Sequence, residues 1–188
     1  MAFHYELRFA GIGGQGNMLA GAIMAEAAIF FENKYATQVP TYTSQVRGGP
    51  TKADIIISDE PIYFAESTHI DFFLALDQRT YGLYKGDTKD GAIVLVDNGL
   101  VSVPDEDRAR WDVYEYPIVR TAKYEVGNVI TANILSVGMT AELTHVMAID
   151  SIQKAVEERV PPAFLELNRK AFQMGIDIAK KLKQEKGK

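Results

Sequence analysis

The sequence of 188 residues contains no cysteine. Without thiolates, this chain by itself cannot hold an iron–sulfur cluster through cysteine, form a disulfide bond or use a thiol nucleophile. Histidine is scarce as well, since only His4, His69 and His145 occur, and none stands at metal-ligand spacing from another. The sequence therefore predicts neither a conventional metal centre nor a thiol-dependent active site.

Long apolar runs and an excess of positive charge are also missing. No stretch approaches the run of about 18 apolar residues that spans a membrane, and residues 1–6 lack the basic and apolar regions of a secretion signal. The formal net charge of −5 and the pI near 5.3 argue against a protein that binds nucleic acid. We therefore predict a cytoplasmic protein with neither a membrane nor a nucleic acid as its partner.

Familiar catalytic motifs are absent too. There is no G-x-S-x-G sequence, and Ser44 has no histidine near it in the chain. Aspartates at the ends of predicted strands permit a carboxylate-pair interpretation, but turn and helix-cap roles explain them more simply. These residues are Asp54, Asp59, Asp71, Asp77 and Asp97.

The pattern of apolar residues predicts strands that alternate with helices. The first strand is expected in the apolar part of residues 7–16, before its glycines. Further strands are expected at 35–39, 53–58, 72–76, 92–96 and 112–116. Helices are expected at 15–33 and 78–84, with a turn at 85–91. Further helices are expected at 128–144, 150–160 and 162–183, with Asp150 as a cap. This order predicts an α/β fold with a mostly parallel, Rossmann-like three-layer sheet and a helical C-terminal region. We expect one domain, 1–188, with a sheet core at 1–120 and a helical extension at 121–188.

A glycine-rich turn follows the first predicted strand. Gly11-x-Gly13-x-x-Gly16 has the spacing of the dinucleotide fingerprint, and its N–H groups, with the start of the next helix, suit an anion. The acidic residue that an NAD site needs about 20 residues further on is missing, since no acid lies between Glu32 and Asp54. A ligand-binding turn and a turn that only packs helix against sheet both remain open.

A second polar loop, residues 40–50, follows the second predicted strand. In parallel sheets, ligands collect at the carboxyl ends of the strands, so both loops, Asp77 and Asp97 are expected to share one edge. The planar fork of Arg47 suits a carboxylate or a phosphate, although it equally suits a contact that only holds the loop. The candidate ligand-binding residues are Gly11, Gly13, Gly14, Gln15, Gly16, Tyr42, Ser44, Arg47, Gly48 and Gly49.

Several ordered motifs resemble one protein family. Six segments are together similar to the gamma subunit of 2-oxoacid:ferredoxin (acceptor) oxidoreductases. They are residues 11–16, 38–54, 57–59 and 74–76, the Gly127-Asn128 helix start, and residues 168–175. The match extends over most of the chain, and it is closest to the 2-oxoglutarate members. Pyruvate and branched-chain 2-oxoacids remain alternative substrates.

The resemblance implies a complex that converts a 2-oxoacid and coenzyme A to an acyl-CoA and CO2 and passes electrons to ferredoxin or another acceptor. It implies alpha, beta and ferredoxin-like delta subunits that carry thiamine diphosphate, Mg and 4Fe-4S clusters. The gamma chain then holds no cofactor or catalytic residue of its own and acts in assembly, with a role in coenzyme A binding or active-site closure as a hypothesis. Isolated chains are expected to form homo-oligomers. The alternative from another class is a free-standing Rossmann-type nucleotide-binding protein.

Overall fold

The computed structural model describes residues 3–42 and 48–187, and this part of the chain forms one six-stranded sheet. Its strands lie in the order β2-β3-β1-β4-β5-β6. They are β1 (His4–Ile12), β2 (Tyr35–Tyr42), β3 (Pro50–Ser58), β4 (Ile70–Ala75), β5 (Thr88–Asp97) and β6 (Asp112–Tyr116).

The sheet is mostly parallel, as predicted. β1, β4, β5 and β6 pair in parallel, whereas β3 pairs antiparallel with both β1 and β2, so β2 runs in the same direction as β1. β3 reverses direction because the chain between Tyr42 and Pro50 is too short for a crossover, which needs about a dozen residues. The connection between β2 and β3 is shorter than the predicted loop at 40–50, because β2 continues to Tyr42 and β3 begins at Pro50.

Helices cover both faces of the sheet. The helices of the described chain are α1 (Asn17–Phe31), α2 (Gln78–Tyr84), α3 (Asp105–Arg110), α4 (Ile118–Thr121), α5 (Ala132–Thr144), α6 (Ile149–Arg159) and α7 (Leu165–Lys186). Leu7 and Phe9 of β1 point into a core with α1 and α5 to α7, and Ala10 points into the opposite core with Tyr81 and Trp111. This alternation produces the predicted three layers, because successive side chains of a strand face opposite sides.

Arg8, on the same strand, is buried and pairs with the buried Asp54. Its guanidinium donates to both carboxylate oxygens of Asp54, at 2.7 and 2.9 Å, and also to Asp87 and the Tyr84 carbonyl. Asp54 lies in the middle of β3 and not at a strand end. The turn or cap role predicted for Asp54 is therefore wrong, because its carboxylate neutralises a buried cation.

The structure also differs from the predicted elements elsewhere in the chain. β5 begins at Thr88, inside the predicted turn, and the short helices α3 and α4 and a π-helical turn at Ala122–Val126 were not predicted. A 3-10 turn, Val129–Thr131, precedes α5. Ala148 occupies the cap position of α6, so the cap role of Asp150 is wrong. Asp150 instead lies in the first turn, where the helix dipole favours a negative charge.

Candidate functional site

The glycine-rich turn joins β1 to α1 at the carboxyl edge of the sheet. Gly14 and Gly16 have positive φ angles of 104° and 77°, a conformation that side chains other than glycine rarely adopt. Gly13 and Gly14 are exposed, and Gly16 is the residue that precedes the first turn of α1. The turn therefore presents backbone to its surroundings at the positive end of a helix dipole.

Gln15 holds this turn in place. Its side-chain oxygen accepts a hydrogen bond from the Ile12 N–H at 2.7 Å, and its side-chain nitrogen donates to the Leu76 carbonyl at 3.1 Å. The side-chain amide thus joins the turn to the end of β4. The role of the Gln15 side chain is to fix the shape of the turn, because its oxygen and nitrogen are both hydrogen-bonded to backbone groups.

The second glycine segment lies directly against the first. The Gly13 N–H donates to the Gly49 carbonyl at 2.9 Å, and Gly49 is buried. Tyr42, at the end of β2, is exposed. Ser44 and Arg47 lie outside the described residues. The structure therefore brings together the predicted glycine residues of two loops, because β3, which follows the second loop, begins beside the end of β1.

Arg79 is a cation of this edge that the sequence interpretation missed. It lies in the first turn of α2, more than half exposed, and its guanidinium donates to the Gly48 carbonyl at 3.2 Å. The Asp77 carboxylate lies 3.5 Å away. The available signal was its position just after a strand that was predicted to end at this edge, because a residue in the first turn of the next helix shares the edge with the loops.

Asp77 and Asp97 support the backbone at the same edge. Asp77 caps α2 by accepting from the Arg79 and Thr80 N–H groups, and Asp97 accepts from the N–H groups of Gly99 and Val119 at 2.9 and 2.7 Å. Burial raises the pKa of the Asp97 carboxyl, and the backbone N–H donors oppose that rise. The predicted turn and cap roles are confirmed for these two residues.

Two other features lie at this edge. The Asn17 side chain is only 3% exposed, and its amide oxygen and nitrogen have no hydrogen-bonding partner among the described residues. A buried amide without partners is costly, about 1 to 3 kcal/mol. A cavity of about 100 Å³ also opens beside Gly14 and Gln15.

The histidines lie elsewhere. The His4 ring contacts one oxygen of the Glu6 carboxylate at 3.1 Å, and the backbone N–H of His69 donates to the other oxygen. Two histidines that are distant in sequence therefore lie near one buried acid. This cluster is at the opposite edge of the sheet from the glycine loops. Within residues 3–42 and 48–187, no group of three acidic or histidine side chains is arranged to hold a metal ion.

The helices of the described residues include no membrane-spanning segment. In the part of the chain that the structure describes, none of them combines the length and the apolar character that crossing a bilayer requires.

Comparisons with known proteins agree with this architecture. Residues 6–178 match the family model for pyruvate ferredoxin/flavodoxin oxidoreductase. The 2-oxoglutarate synthase subunit KorC of Methanocaldococcus jannaschii is 40% identical over 177 residues, which are 94% of this chain and 95% of that one.

Two solved structures have the same fold. The gamma subunit of a keto/oxoacid ferredoxin oxidoreductase from Geobacter sulfurreducens PCA is 44% identical, with a TM-score of 0.88 over 96% of this chain and 99% of that chain. The 2-oxoglutarate:ferredoxin oxidoreductase from Magnetococcus marinus, with 2-oxoglutarate, coenzyme A and succinyl-CoA bound, matches 95% of this chain at 25% identity and a TM-score of 0.85. There the matched region is 31% of a longer chain. The chain therefore belongs to the pyruvate ferredoxin/flavodoxin oxidoreductase family, as the gamma subunit of a 2-oxoacid:ferredoxin oxidoreductase.

Proposed function

We propose that the complex containing this subunit converts 2-oxoglutarate and coenzyme A to succinyl-CoA and CO2 and reduces ferredoxin or another acceptor, in the cytoplasm. The similarity to a 2-oxoglutarate synthase subunit over almost the whole chain supports this substrate. Pyruvate and branched-chain 2-oxoacids are the alternatives that the experiment below distinguishes.

The other subunits hold the redox centres in this proposal. The chain has no cysteine, so it does not fit a 4Fe-4S cluster, whose ligands are cysteine thiolates. We assign thiamine diphosphate and Mg to the alpha and beta subunits and the clusters to them and to the ferredoxin-like delta subunit. The gamma chain then contributes surface and binding groups to the complex.

We assign the glycine turn at 11–16 together with Gly48 and Gly49, here called the glycine edge, to the contact with the catalytic subunits and with coenzyme A. The observation that carries this assignment is the hydrogen bond from Gly13 to Gly49, which makes one continuous backbone surface from two loops. Among the described residues, the N–H groups of Gly14 and Gly16 have no acceptor, and a pyrophosphate suits such donors at a helix start. Arg79, which donates to the Gly48 carbonyl of the neighbouring loop, supplies a positive charge, and Arg47 is predicted to supply another.

Purification from the native host tests the complex. A tagged chain is expected to bring with it thiamine-binding and iron–sulfur subunits, and the preparation should reduce a dye only when both 2-oxoglutarate and coenzyme A are present. Faster reduction with pyruvate or a branched-chain 2-oxoacid would change the substrate. A chain that purifies alone with a bound nucleotide or flavin would contradict the subunit role and favour the Rossmann-type alternative.

An arginine variant tests the contact with coenzyme A. Arg79→Gln should raise the KM for coenzyme A by about tenfold, because one charge-assisted hydrogen bond contributes about 1.5 kcal/mol and 1.4 kcal/mol corresponds to tenfold. Arg110→Gln is the matched control, since Arg110 is similarly exposed and pairs with Asp90 away from the glycine loops. If Arg79→Gln lowers recovery of the complex and leaves this KM unchanged, the edge is an interface only.

We also expect the purified chain to self-associate in the absence of the other subunits, because its partner-facing surface would be exposed. Sedimentation of the isolated chain measures this, and a monomer over the whole concentration range would contradict it.

A further inference from the structure

Ile130 is an exposed apolar side chain on a rigid support. It is 75% exposed and lies on the 3-10 turn Val129–Thr131. The Asn128 side chain accepts from the Ile130 N–H at 3.0 Å, and the Thr131 hydroxyl donates to the Asn128 carbonyl at 2.7 Å. The turn therefore holds Ile130 outward in a fixed position, which lowers the entropy lost when a partner covers it.

A hollow lies on each side of Ile130. The cavity of about 100 Å³ separates it from the glycine turn, and a larger groove of about 240 Å³ lies toward the start of α7, walled by Leu19, Val160 and Phe164. None of the described residues that line either hollow is charged. An apolar cavity of roughly 150 Å³ accommodates a benzene ring, so the groove is large enough for an aromatic side chain.

We propose that Ile130 and these two hollows, here called the Ile130 ridge, form the docking surface for the catalytic polypeptide of the complex. The proposal rests on the subunit role given above. The docking element carries two uncharged apolar side chains that straddle Ile130, with an aromatic group in the larger groove and a smaller aliphatic group beside the glycine turn. Asn133 and Asn168 in the groove wall offer amide groups to its backbone.

Two observations favour the catalytic polypeptide over a second copy of this chain. The Magnetococcus marinus chain continues well beyond the matched region, so a domain of this fold there adjoins further polypeptide of the same enzyme. The ridge also shares the wall of the smaller cavity with Gly14 and Gln15. A partner that covers the glycine turn therefore meets Ile130 next, and the neutral lining matches an uncharged element.

A pair of aspartate variants tests the ridge in the native host. Ile130→Asp in the tagged chain should lower the amount of catalytic subunit recovered by at least about tenfold, as expected for an anchor at the centre of an interface. Tyr63→Asp is the matched control, because Tyr63 is 94% exposed in the segment between β3 and β4, at the opposite edge of the sheet. Thermal unfolding of both chains checks that each variant still folds.

Photocrosslinking identifies the occupant. A benzophenone amino acid in place of Ile130 should crosslink to the catalytic subunit, identified by mass spectrometry. A crosslink between two copies of this chain, or full recovery of the complex with Ile130→Asp, would overturn the ridge while the subunit role stands. If the unmodified tagged chain brings down no oxidoreductase subunit, the subunit role fails, and the ridge fails with it.

Discussion

The crossing of α5 and α7 depends on two glycines that face each other across it. A Cβ atom at Gly138 would lie 2.2 Å from the backbone oxygen of Phe172, and one at Gly175 would lie 2.2 Å from that of Leu135. Because the obstructing atoms are backbone, no change of rotamer relieves the clash. The two helices would have to separate by about 1 Å before an ordinary van der Waals contact is restored.

Gly138→Ala should therefore destabilise the protein, although the same change normally favours a helix. Overpacking costs about 3 kcal/mol at the upper end of its usual range, and replacing glycine by alanine in a helix returns about 1 kcal/mol. The net loss is about 2 kcal/mol in the free energy of unfolding. For a chain of this size, that loss lowers Tm by about 4 to 8 °C.

Gly82→Ala is the matched control, because Gly82 lies in α2 and a Cβ there would have no neighbour within 4 Å. Its Tm should rise by about 1 to 4 °C, from a gain of about 0.5 to 1 kcal/mol. Thermal unfolding followed by circular dichroism measures both variants. If Gly138→Ala is as stable as the unchanged protein, the close approach of α5 and α7 described here is incorrect.

Three further changes test other parts of the structure. Asp54→Asn should lower Tm by about 6 to 12 °C, because weakening a buried ion pair with Arg8 costs about 3 kcal/mol; an unchanged Tm in a thermal melt would contradict the burial of that pair. Asp77→Ala should cost about 1 kcal/mol through loss of the α2 cap, and urea unfolding would refute this if the midpoint did not move. Hydrogen bonds from the Arg169 guanidinium and the Gln153 side chain lower the pKa of Glu157 from 4.5 to about 2. The stability contributed by the Glu157–Arg169 pair is therefore complete above about pH 4.5 and is lost as the pH falls toward 2. The difference in urea midpoint between Glu157→Gln and the unchanged protein should accordingly shrink from pH 7 to pH 3, and a constant difference would exclude this ion pair as its source.

Much of the fold could be predicted because its signals are local. The β-branched run in β3 and the apolar run in β4 indicate strands whatever their neighbours are, and the glycines after β1 indicate a tight turn before a helix. The shared edge of the two glycine loops also followed from the sequence, since alternating strands and helices favour a parallel sheet. The short elements α3 and α4 were missed because too few residues carry their periodicity.

Other features depend on contacts between residues far apart in the chain. The length and composition of Asp54's segment indicate a strand, but only its pairing with β1 shows that the carboxylate faces Arg8 across the sheet. In the same way, only the folded chain shows the hydrogen bond from the Arg79 guanidinium to the Gly48 carbonyl, which makes Arg79 part of the candidate site.

The amino-acid sequence by itself determined four properties of this protein. They are the absence of cysteine, the order of strands and helices, the glycine turn and the likeness to an oxidoreductase gamma subunit. The reversal of β3, the bond between Gly13 and Gly49 and the outward position of Ile130 were decided by the tertiary structure. The reason is that hydrophobic periodicity states which side chains avoid water along one element. Which surfaces meet, and which apolar side chain is left for a partner, depends on how all the elements pack together.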